Sequence, residues 1–385
     1  WVGAHPSTPS VVEATGVALT DLIAAAPERA LSARVAHQFG PRLPYLLKLL
    51  AADAPLSLQA HPDPDQAAAG YAAEEAAGVP RDAPHRRYVD PYHKPELLVA
   101  VSEFRALCGF RAPAAAAEVV AGLAVPALSP LLARLRADDL PGGVRWLLAG
   151  DRAPVDVAEV AAAAADRPGY PVLGELATAY PGDRGVLVTL LLNQVTLAPG
   201  EAIFMPAGNL HVYLHGTGVE IMAASDNVLR GGLTGKYVDL PELLRVLRYE
   251  PLLDPVRRPV PVAPGVVTWP VPVPDLALHR VRLDAGVPAV RLPLPGPRTV
   301  LCLAGELRVD DGAPVTLRPG EAAFGEACEL NQKRSGEACE LNQKRSGEAC
   351  ELNQKRSGGA GERGWVGFTG TGEAYVATVG AARAA

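Results

Sequence analysis

The chain has 385 residues, of which 49% are hydrophobic and 20% charged, and its formal net charge is −6. A chain of this length is too long to fold around one hydrophobic core, so two or three domains are predicted. The acidic balance and the lack of a basic stripe argue against a nucleic-acid-binding protein. No apolar run in the sequence reaches the length of a membrane span.

Cysteine use and the first residues bear on the cellular compartment. Only Cys108 and Cys302 lie outside one repeated segment, which is no disulfide framework for a chain of this size. The sequence opens at Trp1 without the basic and apolar regions of a signal peptide. We therefore predict a reducing, cytoplasmic environment.

In chain order, the predicted elements change from strands to helices and back to strands. From Trp1 to about Arg105 the pattern is mostly strand-like, whereas residues from about 112 to 180 are Ala- and Leu-rich and predict short helices. Strands return after Gly185, and from about Arg257 onward there is almost no helical pattern. The clearest strands of the first part are "YLLKLL" (Tyr45–Leu50), "PLSLQAH" (Pro55–His61) and "ELLVAV" (Glu96–Val101).

Two internal repeats indicate how the β segments are organised. "LAPGEAIF" (Leu197–Phe204) is echoed by "LRPGEAAF" (Leu317–Phe324), and each is followed by a Gly-Thr-Gly before another strand. A Pro-Gly turn between strands is typical of β-sandwich corners. Two copies predict two related β-barrel or jelly-roll domains.

The second repeat is the 11-residue unit "GEACELNQKRS", which occurs three times in tandem from Gly325 to Ser357. It is polar and lacks strand alternation, and it interrupts the second β domain at a turn. We predict an inserted loop, floppy or weakly helical, with no part in the chemistry.

The stretch "LSLQAHPD" places Gln59 and His61 on one side of a predicted strand, with Cα atoms about 6.5–7 Å apart. "HKPE" supplies Glu96 just before a strand, and "PAGNLHVY" supplies His211 as the chain enters another. Taken alone, each residue has an ordinary explanation. A histidine on a strand is commonly hydrogen-bonded or exposed without binding a metal, and Glu96 could be a surface charge. Together, an amide oxygen, two imidazoles and a carboxylate form a set suited to zinc with water at an open position.

The stretch Val219–Asp239 supplies further polar groups. Glu220 and Asp226 are candidate proton carriers, and Arg230 and Lys236 are cations on a Gly-rich loop that suits a phosphate or an enediolate oxygen. Alternatively, the Asp-Asn and Gly-Gly pairs of this stretch could simply form turns, with the two cations exposed to solvent. His215, about 13 Å from His211 along a strand, is predicted to lie at the surface.

The motifs "LSLQAHPD", "HKPELLVAV", "FMPAGNLHVYL" and "SDNVLRGGLTGKYVD" closely resemble type I mannose-6-phosphate isomerases, zinc enzymes of the cupin superfamily. The resemblance runs from "WVGAHPSTPS" to the C-terminus, apart from the tandem insert. It implies a mainly β fold with a helical insertion: two cupin-type jelly-roll barrels plus a small helical domain. Gly235 stands where the family usually has proline.

The resemblance also implies the activity, which is interconversion of mannose 6-phosphate and fructose 6-phosphate through a cis-enediol. It assigns one zinc ion to Gln59, His61, Glu96 and His211, and places Arg230 at the active site as an aid to proton transfer. The same resemblance puts further residues around the pocket: Lys94, Tyr213, Glu220, Asp226 and Lys236. Asp226 or Glu220 is the candidate base, Lys94 a candidate for ring opening, and Lys236 or Arg230 for the phosphate.

The implied domains are a catalytic cupin (residues 1–111 and 181–250, with its first strands truncated), a helical domain (112–180) and a metal-free second cupin (251–385). The expected partner is a small sugar phosphate, with neither nucleic acid nor membrane, and the chain is expected to be a monomer. Two alternatives stay open, a metal-dependent cupin oxygenase and a non-catalytic sugar-phosphate-binding cupin.

Overall fold

The computed structural model describes residues 1–148, 155–165, 167, 170–287, 289–327 and 364–380. Most of the tandem repeat lies outside these residues. Contacts divide the chain into two units, one formed by Trp1–Leu46, Val260–Thr268 and Pro274–Ala385 and the other by Leu47–Pro259 and Trp269–Val273. The domain boundaries drawn from the sequence group Trp1–Leu46 differently, with the catalytic cupin, and they stay a prediction.

Strands and helices alternate along the chain in three groups. The first group is β1 (Val11–Val12), β2 (Val17–Ala18), α1 (Leu19–Ala25), α2 (Pro27–Leu31) and α3 (Ala33–Phe39). The second group begins with β3 (Tyr45–Ala52), β4 (Leu58–Ala60), α4 (Pro64–Ala76), β5 (Glu96–Ala100) and β6 (Phe104–Phe110), continues with α5 (Pro113–Gly122), α6 (Ser129–Arg136), α7 (Leu140–Leu148), α8 (Val157–Ala164), α9 (Pro171–Ala179) and α10 (Gly185–Val188), and ends with β7 (Leu192–Leu197), β8 (Ala202–Met205), β9 (His211–Ala223), β10 (Leu229–Gly232), α11 (Leu240–Val246) and β11 (Val256–Arg257). The third group is β12 (Val260–Ala263), β13 (Val266–Thr268), β14 (Ala277–Leu283), β15 (Ala289–Pro293), β16 (Arg298–Asp310), β17 (Val315–Leu317), β18 (Ala322–Gly325) and β19 (Trp365–Thr378).

Two large sheets organise the strands, so the prediction of a mainly β protein with a helical insertion is confirmed. In the described residues, one sheet has nine strands, in the order β10-β4-β9-β5-β8-β11 with β3, β6 and β7 attached to β9 or β6. The other has eight strands, in the order β12-β13-β14-β19-β16-β17 with β15 and β18 attached. No described helix is long and apolar enough to span a bilayer.

The two copies of the Pro-Gly repeat make the same turn. In the first, the amide of Gly200 donates to Ala100 and the amide of Ala198 donates to the Glu201 side chain. In the second, the amide of Gly320 donates to Cys302 and the amide of Arg318 donates to the Glu321 side chain. The two sheets therefore share this turn, and their relationship as two β domains stays a prediction.

The expectation that residues up to Arg105 are mostly strand-like is wrong in part, because four helices lie there. The longest is α4, whose start carries a capping box: the Asp63 carboxylate accepts from the amide of Gln66, and the Gln66 side chain accepts from the amide of Asp63. Pro64 occupies the first helical turn, where its missing N–H costs nothing. This start signal can be read in the sequence Asp-Pro-Asp-Gln.

Strand β9 is bent at Gly216, between two parts of the strand that pair with different neighbours. Its first half pairs with β4 and β6, and its second half pairs with β5. Gly216 has a φ of 122°, and a Cβ added there would lie 2.4 Å from the carbonyl oxygen of Glu103. Only glycine fits this position without moving the backbone.

We expect Gly216→Ala to lower the free energy of unfolding by about 3 kcal/mol, because it adds backbone strain and a steric clash at one point. The matched control is Gly174→Ala in α9, where a Cβ meets nothing within 4 Å. That change should raise stability by about 0.5–1 kcal/mol. Urea unfolding of both variants measures the difference, and equal effects would contradict the steric explanation.

Candidate metal centre and active site

Three neighbouring strands bring candidate residues into one row. Gln59 of β4 lies opposite His211 of β9 in the strand register, and Arg230 of β10 lies opposite Gln59 on its other side. Directly opposed residues point to the same face of a sheet. The register therefore places an amide, an imidazole and a guanidinium side by side.

Both histidines are oriented by main-chain carbonyls. His61 donates its Nδ1 hydrogen to the carbonyl of Asn227 at 2.7 Å, and His211 donates from Nδ1 to the carbonyl of Asn209 at 3.0 Å. Each imidazole then carries its lone pair on Nε2. This arrangement is typical of metal-ligating histidines, because the second nitrogen fixes the tautomer and the ring direction.

The Glu96 carboxylate lies between the two imidazoles. Its Oε1 is 3.3 Å from Nε2 of His61, and its Oε2 is 3.4 Å from Nε2 of His211. The Lys94 ammonium is 3.0 Å from Oε1. Burial alone would raise the pKa of Glu96, but the charge of the Lys94 ammonium opposes burial, and the pKa lies well below its usual range. Burial, assisted by Lys94, lowers the pKa of His61 to about 4.

The donor set fits a divalent metal ion. The ligand atoms of His61, Glu96 and His211 lie within 4.8 Å of one another, and all three residues are buried. Within the described residues, neither Nε2 of His61 nor Oε2 of Glu96 has a hydrogen-bond partner. Buried polar atoms without partners are costly, and a cation between them would satisfy both. Neutral imidazoles and an ionised carboxylate are the protonation states that zinc requires.

Gln59 lies beside this group with its amide nitrogen 3.2 Å from Nε2 of His211. Its Oε1 accepts from the Ser57 hydroxyl at 3.4 Å. A metal ion would be bound by the oxygen, and a half-turn of the amide exchanges the two atoms. The Ser57 hydroxyl can either donate or accept, so it can hydrogen-bond the amide in both orientations.

A second buried polar group lies on β3 and β9. Lys48 contacts Oε2 of Glu220 at 3.0 Å, and the Tyr213 hydroxyl donates to Oε1 at 2.9 Å. The bend at Gly216 makes this possible, because Tyr213 precedes it and Glu220 follows it on the same strand. Burial and the Glu220 charge raise the pKa of Tyr213 well above its usual value, so Tyr213 is a neutral donor.

Lys48 is the functional candidate that the sequence analysis missed. Burial alone would lower its pKa, but the carboxylates of Glu220, Glu96 and Asp226 outweigh burial and raise it. Both candidate bases and one candidate ligand thus lie near a single ammonium group.

The remaining candidates differ in exposure. The backbone amide of Asp226, an exposed residue, donates to the Asp90 carboxylate at 2.9 Å. Arg230 is half-buried, and burial lowers its pKa; its guanidinium makes no hydrogen bond or ion pair in the described part of the chain. Lys236 and His215 are exposed.

We expect Lys48→Met to lower the free energy of unfolding by about 3 kcal/mol, because it leaves the Glu220 carboxylate buried without its cation. The side chain of Glu220 is only 2% exposed. The double variant Lys48→Met with Glu220→Gln should recover most of this loss, since the remaining pair is neutral. Denaturant unfolding of both single variants and the double variant gives the coupling energy. Additive effects would contradict a coupled pair.

Comparison with known proteins identifies the family of this chain. The family model for the catalytic domain of type I phosphomannose isomerase matches residues 1–113. Mannose-6-phosphate isomerase of Salmonella typhimurium is 39% identical over 339 residues, covering 84% of this chain and 85% of that protein. The chain belongs to the type I mannose-6-phosphate isomerase family. The Escherichia coli mannose-6-phosphate isomerase is 38% identical and covers 86% of each chain.

Solved structures of mannose-6-phosphate isomerases share the fold. A zinc-bound crystal structure of mannose 6-phosphate isomerase superposes with a TM-score of 0.82 at 32% identity, covering 99% of this chain and 90% of that one. A lysine-to-alanine mutant of the Salmonella typhimurium phosphomannose isomerase gives the same TM-score and identity. The predicted family and its mainly β architecture with helices are therefore confirmed.

Proposed function

We propose that this chain is a zinc-dependent aldose–ketose isomerase that interconverts D-mannose 6-phosphate and D-fructose 6-phosphate. The main support is that two imidazoles, each oriented by a main-chain carbonyl, converge on one buried carboxylate. The family also includes a zinc-bound crystal structure. One zinc ion per chain would be held by Gln59, His61, Glu96 and His211. When bound, zinc supplies a Lewis acid that polarises the sugar oxygens.

The proton transfer between C1 and C2 falls to the residues around Lys48. Asp226 and Glu220 are the two candidate bases, and both carboxylates interact with the Lys48 ammonium. The hydrogen bond that Tyr213 donates to Glu220 fixes the direction of that carboxylate. Such a base moves the proton across one face of a cis-enediol.

Cations around the site would stabilise the negative charges of the substrate. Arg230, which is opposite Gln59 in the register, has donors free to stabilise the developing oxyanion. Lys94 contacts Glu96 and would assist ring opening or orient a water molecule. Lys236, on the exposed loop after β10, would bind the phosphate, and Tyr213 would line the substrate pocket.

Neither alternative gains support from the site. Two imidazoles and a carboxylate could hold iron in an oxygenase, but Gln59 beside His211 offers a fourth protein ligand. A non-catalytic sugar-phosphate-binding cupin would not need Lys48, Glu220 and Tyr213 in one buried hydrogen-bonded group. The monomeric state, the absence of nucleic-acid binding and the cytoplasmic location stay predictions.

A coupled assay for fructose 6-phosphate formation tests the proposed function. Activity should require mannose 6-phosphate, disappear with a chelator and return when zinc is added. Oxygen uptake in the same preparation should be absent. Binding of mannose 6-phosphate without conversion, at full zinc content, would refute the isomerase assignment.

A further inference from the structure

Asn227 is a fully buried residue to which the sequence patterns assign no role. Its amide nitrogen donates to the carbonyls of Asp90 at 2.7 Å and Tyr92 at 2.8 Å. Its amide oxygen accepts from the main-chain amides of Val89 at 2.8 Å and Asp90 at 3.3 Å. The side chain is 0% exposed and uses both ends of its amide on one short segment, residues 89–92.

The main-chain carbonyl of the same residue is the acceptor for Nδ1 of His61, at 2.7 Å. Asn227 therefore joins two things: its side chain holds the 89–92 segment, and its carbonyl directs His61. The 89–92 segment leads directly into Lys94 and Glu96.

Two further hydrogen bonds connect the residues next to Asn227 to the same 89–92 segment. The Ser225 hydroxyl donates to the carbonyl of Tyr92 at 3.1 Å, and the amide of Asp226 donates to the Asp90 carboxylate at 2.9 Å. Neither replaces Asn227, because only its side chain both donates to and accepts from the 89–92 backbone.

We propose that Asn227 is a positioning residue for the metal centre. By fixing its own carbonyl against the 89–92 segment, it keeps the proton of His61 on Nδ1 and the Nε2 lone pair directed toward Glu96. It also ties the segment that carries Glu96 to the segment that orients His61. The inference rests on the ligand role of His61 in the proposed function.

The chemistry of the side chain makes the role specific to an amide. Aspartate has the same shape, but one carboxylate oxygen would face the two carbonyl oxygens of Asp90 and Tyr92 with no hydrogen to donate. Repulsion there would release residues 225–228 and move the carbonyl away from His61. Serine is smaller and could donate to only one of the two carbonyls, so its effect should be intermediate.

The test is the zinc dissociation constant of the full-length protein, measured by competition with a chromophoric chelator. Asn227→Asp should weaken zinc binding by about 10- to 100-fold, the range found when an outer hydrogen-bond partner of a ligand is removed. Asn227→Ser should weaken it less and serves if the aspartate variant does not fold. In zinc-free protein with ¹⁵N-labelled histidine, the His61 signal should change from one tautomer to a mixture.

Asn193→Asp is the matched control. The Asn193 amide donates to four carbonyls, those of Cys108, Gly109, Phe110 and Leu252, whereas the histidine rings use the carbonyls of Asn227 and Asn209. The control should lose stability and keep its zinc affinity. Unchanged zinc affinity in both Asn227 variants, or equal weakening in the control, would overturn the proposal. His61→Ala distinguishes failure of this proposal from failure of the proposed metal site. Full zinc affinity in that variant would refute the ligand role of His61.

Discussion

Glu96→Gln is expected to give a protein that purifies nearly free of zinc and has lost almost all isomerase activity. The carboxylate is the only anion within reach of both imidazoles in the described residues, as its two oxygens lie 3.3 and 3.4 Å from their Nε2 atoms. A neutral amide removes the charge that compensates a divalent ion in a buried site. Loss of metal catalysis is worth several kcal/mol, so kcat should fall by about 10³-fold or more.

Metal analysis and the coupled assay measure the two effects on the same sample. The control is Glu103→Gln, which makes the same chemical change at an exposed position seven residues along the chain. It should keep both zinc and activity. A Glu96→Gln protein with a full complement of zinc would show that the carboxylate is not a ligand.

Arg230→Ala is expected to lower kcat by about 10²- to 10³-fold while zinc content stays unchanged. The guanidinium is half-buried opposite Gln59 and has no protein anion as partner in the described part of the chain, so its charge is available to the substrate. Arg230→Lys should recover part of the loss, because an ammonium restores the charge without the planar fork of donors.

The paired readout decides what Arg230 does. An unchanged zinc content with a reduced kcat indicates stabilisation of the transition state, whereas a changed KM alone would indicate simple substrate binding. Arg258→Ala removes a guanidinium that is 85% exposed and should be silent. Wild-type kcat in Arg230→Ala would refute the oxyanion role.

The sequence reveals the proposed ligands because they occur in long motifs at strand ends. Gln59 lies on β4, but His61 follows directly after the last residue of that strand, so the expectation that both lie on one strand is correct only for Gln59; His211 begins β9. What the sequence cannot supply is the register that sets Gln59 opposite His211, a pairing of residues 152 positions apart. Only the folded sheet shows that their side chains meet.

Lys48 shows the opposite case, because the residues around it in the sequence give no sign of a functional role. In "YLLKLL" a lysine between apolar residues resembles the solvent-facing position of an ordinary strand. Its partner Glu220 lies 172 residues away, and no local spacing connects the two. The helices α1 to α3 were missed for a related reason, because each is only five to seven residues long and tertiary contacts outweigh local preference.

The bend in β9 has a counterpart in β19, where Gly370 has a φ of 109° and a Cβ would lie 2.4 Å from the carbonyl oxygen of Glu306. Counted from the two glycines, Trp365 stands where β9 has His211, and Ala374 stands where it has Glu220. Strand β19 thus has the same glycine bend as β9, without an imidazole or a carboxylate at these two positions. The C-terminal sheet therefore contains a strand with the same bend, into which imidazoles and carboxylates could be introduced to find how few of them bind a metal ion.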